Sequence, residues 1–163
     1  MKRANVLLLA ILITHMPATA QSPGAGDGVR LGVSFGGIST VAVNVELFRD
    51  NDALELSLGT WSFRDLSVSA LAKHYFGASA ARPVVGGGLW MVAAWGSGER
   101  TGLAMVFRAP IGVDWAIADG RHSVGASLNL NRGLWVRRSD PEDELPMNRR
   151  LVPLPEVYYR VRS

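Results

Sequence analysis

The chain has 163 residues and no cysteine, which excludes disulfide bonds, thiol chemistry and cysteine-ligated metal sites. It carries 17 Lys and Arg against 14 Asp and Glu, and no basic run with interleaved aromatic residues, so we expect no nucleic-acid partner. The length is sufficient for one domain.

The first twenty residues have the pattern of a secretory signal peptide. Lys2 and Arg3 are positive, residues 6–13 form an apolar run, and Ala18-Thr19-Ala20 has the small-x-small form of a cleavage site. The apolar run is too short for a membrane-spanning helix, which needs about 20 residues. We therefore predict a signal peptide at 1–20, cleaved after Ala20; the alternative is a buried first strand or helix.

The rest of the chain is predicted to contain a flexible leader at 21–28 and one β-barrel domain at 29–163. From residue 29 onward, apolar and polar residues alternate with the period of two that is typical of β-strands. In chain order, the apolar faces of eight predicted strands contain Val29, Leu31, Val33 and Phe35; Val41, Val43, Val45 and Leu47; Leu54, Leu56 and Leu58; Leu66, Val68, Ala70 and Ala72; Val85, Gly87, Leu89, Met91 and Trp95; Phe107, Ala109, Ile111, Val113, Trp115 and Ile117; Val124, Ala126, Leu128 and Leu130; Val157, Tyr159 and Val161. Short turns rich in Gly, Asp and Ser separate these strands, and the one long connection is a polar loop over 137–150.

The alternation fits two kinds of barrel. A soluble barrel buries its apolar row, whereas a membrane barrel turns that row toward lipid and fills its lumen with the polar row. Here the polar row is mostly Gly, Ala and Ser, which suit the narrow interior of an eight-stranded barrel better than a water-facing surface. We therefore predict an all-β, eight-stranded antiparallel up-and-down transmembrane barrel, closed because lipid cannot satisfy a free strand edge.

The polar row also contains charges of both signs. Four basic and four acidic residues permit a network of ion pairs, which charges shielded from water require. The predicted lumen charge network consists of Arg30, Lys73, Arg108, Arg160, Glu46, Glu55, Asp114 and Glu156.

The apolar row is almost free of charge, as lipid contact requires, since a midplane Arg or Lys costs on the order of 2–4 kcal/mol. On this basis Val43, Leu56, Ile111 and Leu128 are predicted to face lipid.

Aromatic residues lie near both ends of the strands, as in the two interfacial belts of membrane proteins. Trp61, Trp135 and Phe48 do not fit fully, because their parity is that of the inner row. Pro110 lies in the middle of the sixth strand and cannot donate a ladder hydrogen bond, so we predict a local bulge there.

Three segments have a form that recurs in small membrane barrels: residues 81–88 entering a strand, residues 108–115 within the next strand, and the alternating last strand. In them the chain resembles the small outer-membrane β-barrel superfamily of the outer membrane protein A type, over residues 28–162. The resemblance implies a place in the outer membrane of a Gram-negative cell envelope, with outer-membrane lipid and the barrel-assembly machinery as partners. Members usually end on an aromatic residue, whereas this chain ends in Arg162-Ser163.

Groups that could carry chemistry are few. His74 has the apolar parity of the fourth strand and is interpreted as interfacial. His122 and Ser123 are neighbours on a strand, so they point to opposite faces and cannot form a base–nucleophile pair. We predict no catalytic residue, no cofactor and no metal site. The acidic residues of the long loop could attract Ca²⁺ but are interpreted as a solvated tip: Asp140, Glu142, Asp143 and Glu144.

The leading hypothesis is a non-enzymatic, porin-like outer-membrane barrel with a structural or surface-interaction role. The alternatives are a soluble periplasmic lipocalin-like barrel that binds an apolar ligand, and a lipid-modifying outer-membrane enzyme.

Overall fold

A computed structural model describes residues 27–95, 101–117, 120–140 and 150–163. The predicted signal peptide at 1–20 and most of the leader at 21–28 lie outside the described residues. The eight predicted strands are present: β1 (Gly28–Gly36), β2 (Ser39–Arg49), β3 (Asp52–Thr60), β4 (Asp65–Tyr75), β5 (Ala81–Ala94), β6 (Gly102–Ile117), β7 (His122–Arg137) and β8 (Val152–Arg162). In these four ranges there is no helix of the length and apolarity needed to cross a membrane.

The strands form a closed barrel in which each strand pairs antiparallel with the next and β8 pairs with β1. The predicted closed, antiparallel, up-and-down topology is confirmed. Starting from Arg30 on β1 and moving from each residue to its partner on the next strand, one arrives at Val152 on β8. The residue of β8 that pairs directly with Arg30 is Arg162, so the register is displaced by ten residues around the barrel. This displacement requires strands tilted from the barrel axis, typically by about 35–45°.

The two ends of the barrel differ in their connections. Both β1 and β8 have their chain-terminal ends at one end, which we call the terminal rim, together with the short connections β2–β3, β4–β5 and β6–β7. The opposite end, the loop rim, carries the other four connections, of which β7–β8 is the longest.

The β1–β2 connection is a tight turn that folds over the lumen at the loop rim. Gly36 and Gly37 have φ of 81° and 67°, which glycine adopts without the steric penalty of a side chain. The Gly37 amide donates to the carbonyl oxygen of Pro155 at 2.8 Å, and Ile38 is fully buried. This turn therefore places an apolar side chain at the loop-rim end of the interior.

Pro110 does not produce the predicted bulge. β6 pairs with β7 continuously through Pro110, while its pairing with β5 is interrupted between the pairs Val85–Ile111 and Gly88–Arg108, with no change of register. Pro110 has no backbone N–H to donate, and the ladder between β5 and β6 accommodates this by leaving two residues of each strand unpaired. An unpaired position costs less free energy than a register shift of one residue, which would turn every following side chain to the other face.

The register shift of β6 lies nearer the loop rim instead. Val106 pairs with Gly133 and Met105 pairs with Trp135, so Leu134 is an extra residue on β7. A bulge of this kind reverses the parity of the residues that follow. Leu134 and Trp135 are consequently both exposed on the outer surface.

Candidate functional site

The candidate site is the interior of the barrel, where the structure places all eight residues of the predicted lumen network. All are buried, with Arg108, Asp114 and Glu46 fully so. They fall into two groups, and within each group ion pairs cross the lumen.

The first ion cluster lies toward the terminal rim and consists of Arg30, Glu46, Glu55, Lys73, Arg82, Asp114 and Arg160. Its centre is Arg160 on β8, whose Nη2 lies 2.6 Å from Glu55 Oε2 on β3, across the barrel. Lys73 Nζ contacts the same Glu55 oxygen at 2.5 Å. Arg160 Nη1 also lies 3.5 Å from Asp114 Oδ1 and 3.7 Å from Glu46 Oε1.

Two further arginines complete the first ion cluster. Arg30 Nη1 lies 3.4 Å from Glu46 Oε2 and 3.5 Å from Asp114 Oδ2. Arg82 Nη2 lies 3.4 Å from the same Asp114 oxygen. Each carboxylate of this cluster is therefore shared by at least two cations, which offsets the desolvation of charges held away from water.

Aromatic side chains surround these cations. The Tyr75 hydroxyl donates to Glu46, and the guanidinium of Arg160 lies 3.7 Å from the Tyr158 ring centroid. Arg30 lies 4.3 Å from the ring centroid of Phe48, which is buried in the lumen instead of joining an aromatic belt. Such cation–π contacts add stabilisation where the cation is desolvated.

The second ion cluster lies toward the loop rim and consists of Arg108, Glu156, Asn129, Ser69 and Ser127. Arg108 Nη2 contacts Glu156 Oε2 at 2.6 Å, and its Nε donates to Asn129 Oδ1 at 2.7 Å. The Asn129 amide and the Ser127 hydroxyl donate to the same carboxylate at 3.0 Å and 3.2 Å. Arg108 is therefore bonded to strands on both sides of the lumen, since its Nη1 also donates to Ser69 on β4.

The outward faces carry the apolar row. Val43, Leu56, Ile111 and Leu128 point outward and are 55%, 48%, 55% and 46% exposed. Exposed aromatic residues lie near both ends: Trp61, Trp95 and Trp135 toward the loop rim, and Phe76, Trp115 and Tyr159 toward the terminal rim. Trp61 lies in the turn after β3, where strand parity does not apply, and Trp135 follows the Leu134 bulge.

The two histidines among the described residues lie on the outer surface near the terminal rim. His74 Nδ1 is 2.7 Å from Asp52 Oδ1, and His122 Nδ1 is 2.6 Å from the Tyr159 hydroxyl. Ser123 is buried on the opposite face of β7 from His122. Within the described ranges, no three His, Cys, Asp or Glu side chains are grouped so that they could hold a metal ion. Glu142, Asp143 and Glu144 of the long loop lie outside the described residues.

The predicted lumen charge network lacked three side chains that contact it in the structure. With Arg82, the two ion clusters contain five cations and four carboxylates, where four of each were predicted. Tyr75 and Tyr158 contribute hydroxyls and ring faces to the first ion cluster. The alternation of the strands could have identified two of them. Arg82 lies four residues before Gly86 and Tyr158 lies two before Arg160, and an even separation along a strand places both on the inward row.

Comparisons with known proteins support the architecture. No family model matches the chain, and no curated protein matches it. Among solved structures, its fold is similar to the N-terminal β-barrel domain of OprF from Pseudomonas aeruginosa, with a TM-score of 0.62 and 15% sequence identity, covering 85% of this chain and 99% of that chain. The predicted resemblance to small eight-stranded barrels is thereby confirmed at the level of the fold.

Proposed function

We propose that the chain is an exported, non-enzymatic β-barrel of the Gram-negative outer membrane, with a structural or surface-interaction role. The observation that carries this proposal is the inverted polarity of the barrel. Its outward side chains between the rims are apolar with the exception of Arg132, while the side chains of both ion clusters lie in the lumen. Water favours the opposite arrangement, whereas lipid favours this one.

The two ion clusters support a structural plug in preference to a transport path. Their ion pairs join strands that are not neighbours, such as β3 with β8 and β6 with β8, and so occupy the cross-section at two levels. An eight-stranded barrel has an interior just wide enough for its own side chains. Recognition would then belong to the loop rim, which faces outward if the chain termini are periplasmic, as is usual for barrels with long external loops.

The two alternative functions have less support. A lipocalin-like binder of apolar ligands needs an apolar interior, and the buried side chains of this barrel are mostly ionised, amide and hydroxyl groups. A lipid-modifying enzyme needs a nucleophile and a base within hydrogen-bond reach. The neighbouring pair that the sequence offers, His122 and Ser123, lies on opposite faces of β7.

Fractionation of cells that express the full chain tests the proposal. We expect the protein in the outer-membrane fraction, resistant to extraction by urea and released only by detergent. In gel electrophoresis it should migrate differently before and after boiling, because a closed barrel resists unfolding by detergent at room temperature. Recovery in the soluble periplasm without detergent would show that the proposal is wrong.

A further inference from the structure

One arginine interrupts the apolar outer surface. Arg49 and Arg137 also point outward, but each is the last residue of its strand, whereas Arg132 lies five residues before the end of β7. Arg132 is exposed and has the same outward parity as Leu128 and Leu130. Among the described residues it has no hydrogen-bond or ion-pair partner.

The surroundings of Arg132 form an open groove. β8 begins at Val152 opposite Asn131, so no β8 residue lies opposite Arg132, and on its other side Arg132 pairs with Phe107. The Leu134 bulge follows at once. A groove of about 460 Å³ results, lined by Phe107, Arg132, Gly133 and Leu134. The guanidinium group of Arg132 therefore lies beside the Phe107 ring and the Leu134 side chain, on the surface proposed to contact lipid.

We propose that this groove binds a phosphorylated glycolipid of the outer leaflet, with the lipid phosphate on Arg132 and an acyl chain along Phe107 and Leu134. The planar guanidinium matches phosphate geometry with two parallel hydrogen bonds. Its place near the loop rim allows the head group to remain at the membrane surface while the acyl chain follows the barrel wall.

This inference rests on the proposed function, because the loop rim must face the leaflet that carries the glycolipid. The occupant is argued from charge complementarity. Arg132 has no ion-pair partner among the described residues, and an arginine on a lipid-facing surface is costly unless an anion or the interface stabilises it.

Native mass spectrometry of the full, folded protein in detergent micelles tests the proposal. The protein is titrated with diphosphoryl lipid A and, in parallel, with the same lipid after removal of both phosphates. We expect the phosphorylated lipid to bind about tenfold more tightly or better, as hydrogen bonds to charged groups allow. The variant Arg132→Gln should lose most of this preference.

Arg49→Gln is the matched control, because Arg49 is also an outward arginine but lies at the terminal rim, away from the groove. It should retain wild-type binding, and heat-dependent gel mobility should show that both variants are folded. Equal losses in the two variants, or equal affinity of the wild type for both lipids, would overturn the proposal. The micelle assay does not depend on cellular location, so soluble fractionation would disprove the proposed function without altering this result.

Discussion

Glu46 and Glu55 lie directly opposite each other on β2 and β3, with both side chains in the lumen. Like charges in this position destabilise a sheet. Their carboxylates are held by Arg30, Lys73 and Arg160, which come from β1, β4 and β8. The residues of the first ion cluster therefore depend on one another, and the removal of one cation affects carboxylates on several strands.

Arg160→Met should lower the free energy of unfolding by about 3–5 kcal/mol, because it leaves buried carboxylates with too few cations. Glu55 would keep Lys73 as its ion-pair partner, and Asp114 and Glu46 would each lose a contact. Urea unfolding of the protein reconstituted in lipid vesicles measures the change. Arg49→Met, at an exposed strand end, should change stability by no more than about 0.5 kcal/mol.

A double-mutant cycle separates the ion pair from general packing. Arg160→Met combined with Glu55→Gln should cost less than the sum of the two single variants, with a coupling of about 0.5–3 kcal/mol. Additive effects would mean that the 2.6 Å contact between these side chains does not stabilise the barrel.

The β3–β4 connection shows how a short element can hold an exposed side chain in a strained conformation. The Asp65 carboxylate accepts from the backbone amides of Trp61 and Ser62, and the Thr60 hydroxyl accepts from the Phe63 amide. Phe63 has φ of 60° and is 87% exposed. A left-handed conformation at a residue other than glycine costs roughly 1–2 kcal/mol.

Phe63→Gly should therefore be more stable than Phe63→Ala by about 1 kcal/mol, since both remove the same exposed ring but only glycine relieves the strain. Urea unfolding of the two variants in vesicles gives the difference. If the alanine variant were equally stable or better, the turn would not have the left-handed conformation at this position.

At the level of elements, alternation predicted all eight strands, and the eight charged residues that it assigned to the lumen are buried there. It could not predict where the ladder is irregular. Leu134 and Pro110 both lie in strands that look regular, and a bulge depends on how two strands pair, which neither sequence reveals alone. The outward position of Trp135 follows from that pairing, so its parity in the sequence was misleading.

The contacts within the interior could not be predicted from the sequence either, because they depend on how all eight strands pair. Sequence parity placed Arg160 and Glu55 on the inward row, but their contact joins residues 105 positions apart on β8 and β3. Only the closure and the ten-residue displacement of the register bring them to one level. The small side chains that suggested a narrow lumen also leave room for these long ones, as where Gly125 faces the Tyr158 ring.

For the whole molecule, the distribution of polarity indicates which solvent surrounds the barrel. The chain has no cysteine, so single-cysteine variants can report on neighbouring residues that face opposite ways. Val43 and Asn44 are such a pair on β2, one exposed and the other buried in the lumen.

A maleimide fluorophore at Val43→Cys, in protein reconstituted in vesicles, should be quenched by lipids with a nitroxide on the acyl chain and unaffected by aqueous iodide. Asn44→Cys should remain unlabelled until the barrel is unfolded, because the side chains of the lumen leave little space for the reagent. Quenching of the Val43→Cys label by iodide alone would mean that the apolar row faces water, and the membrane location would then be wrong.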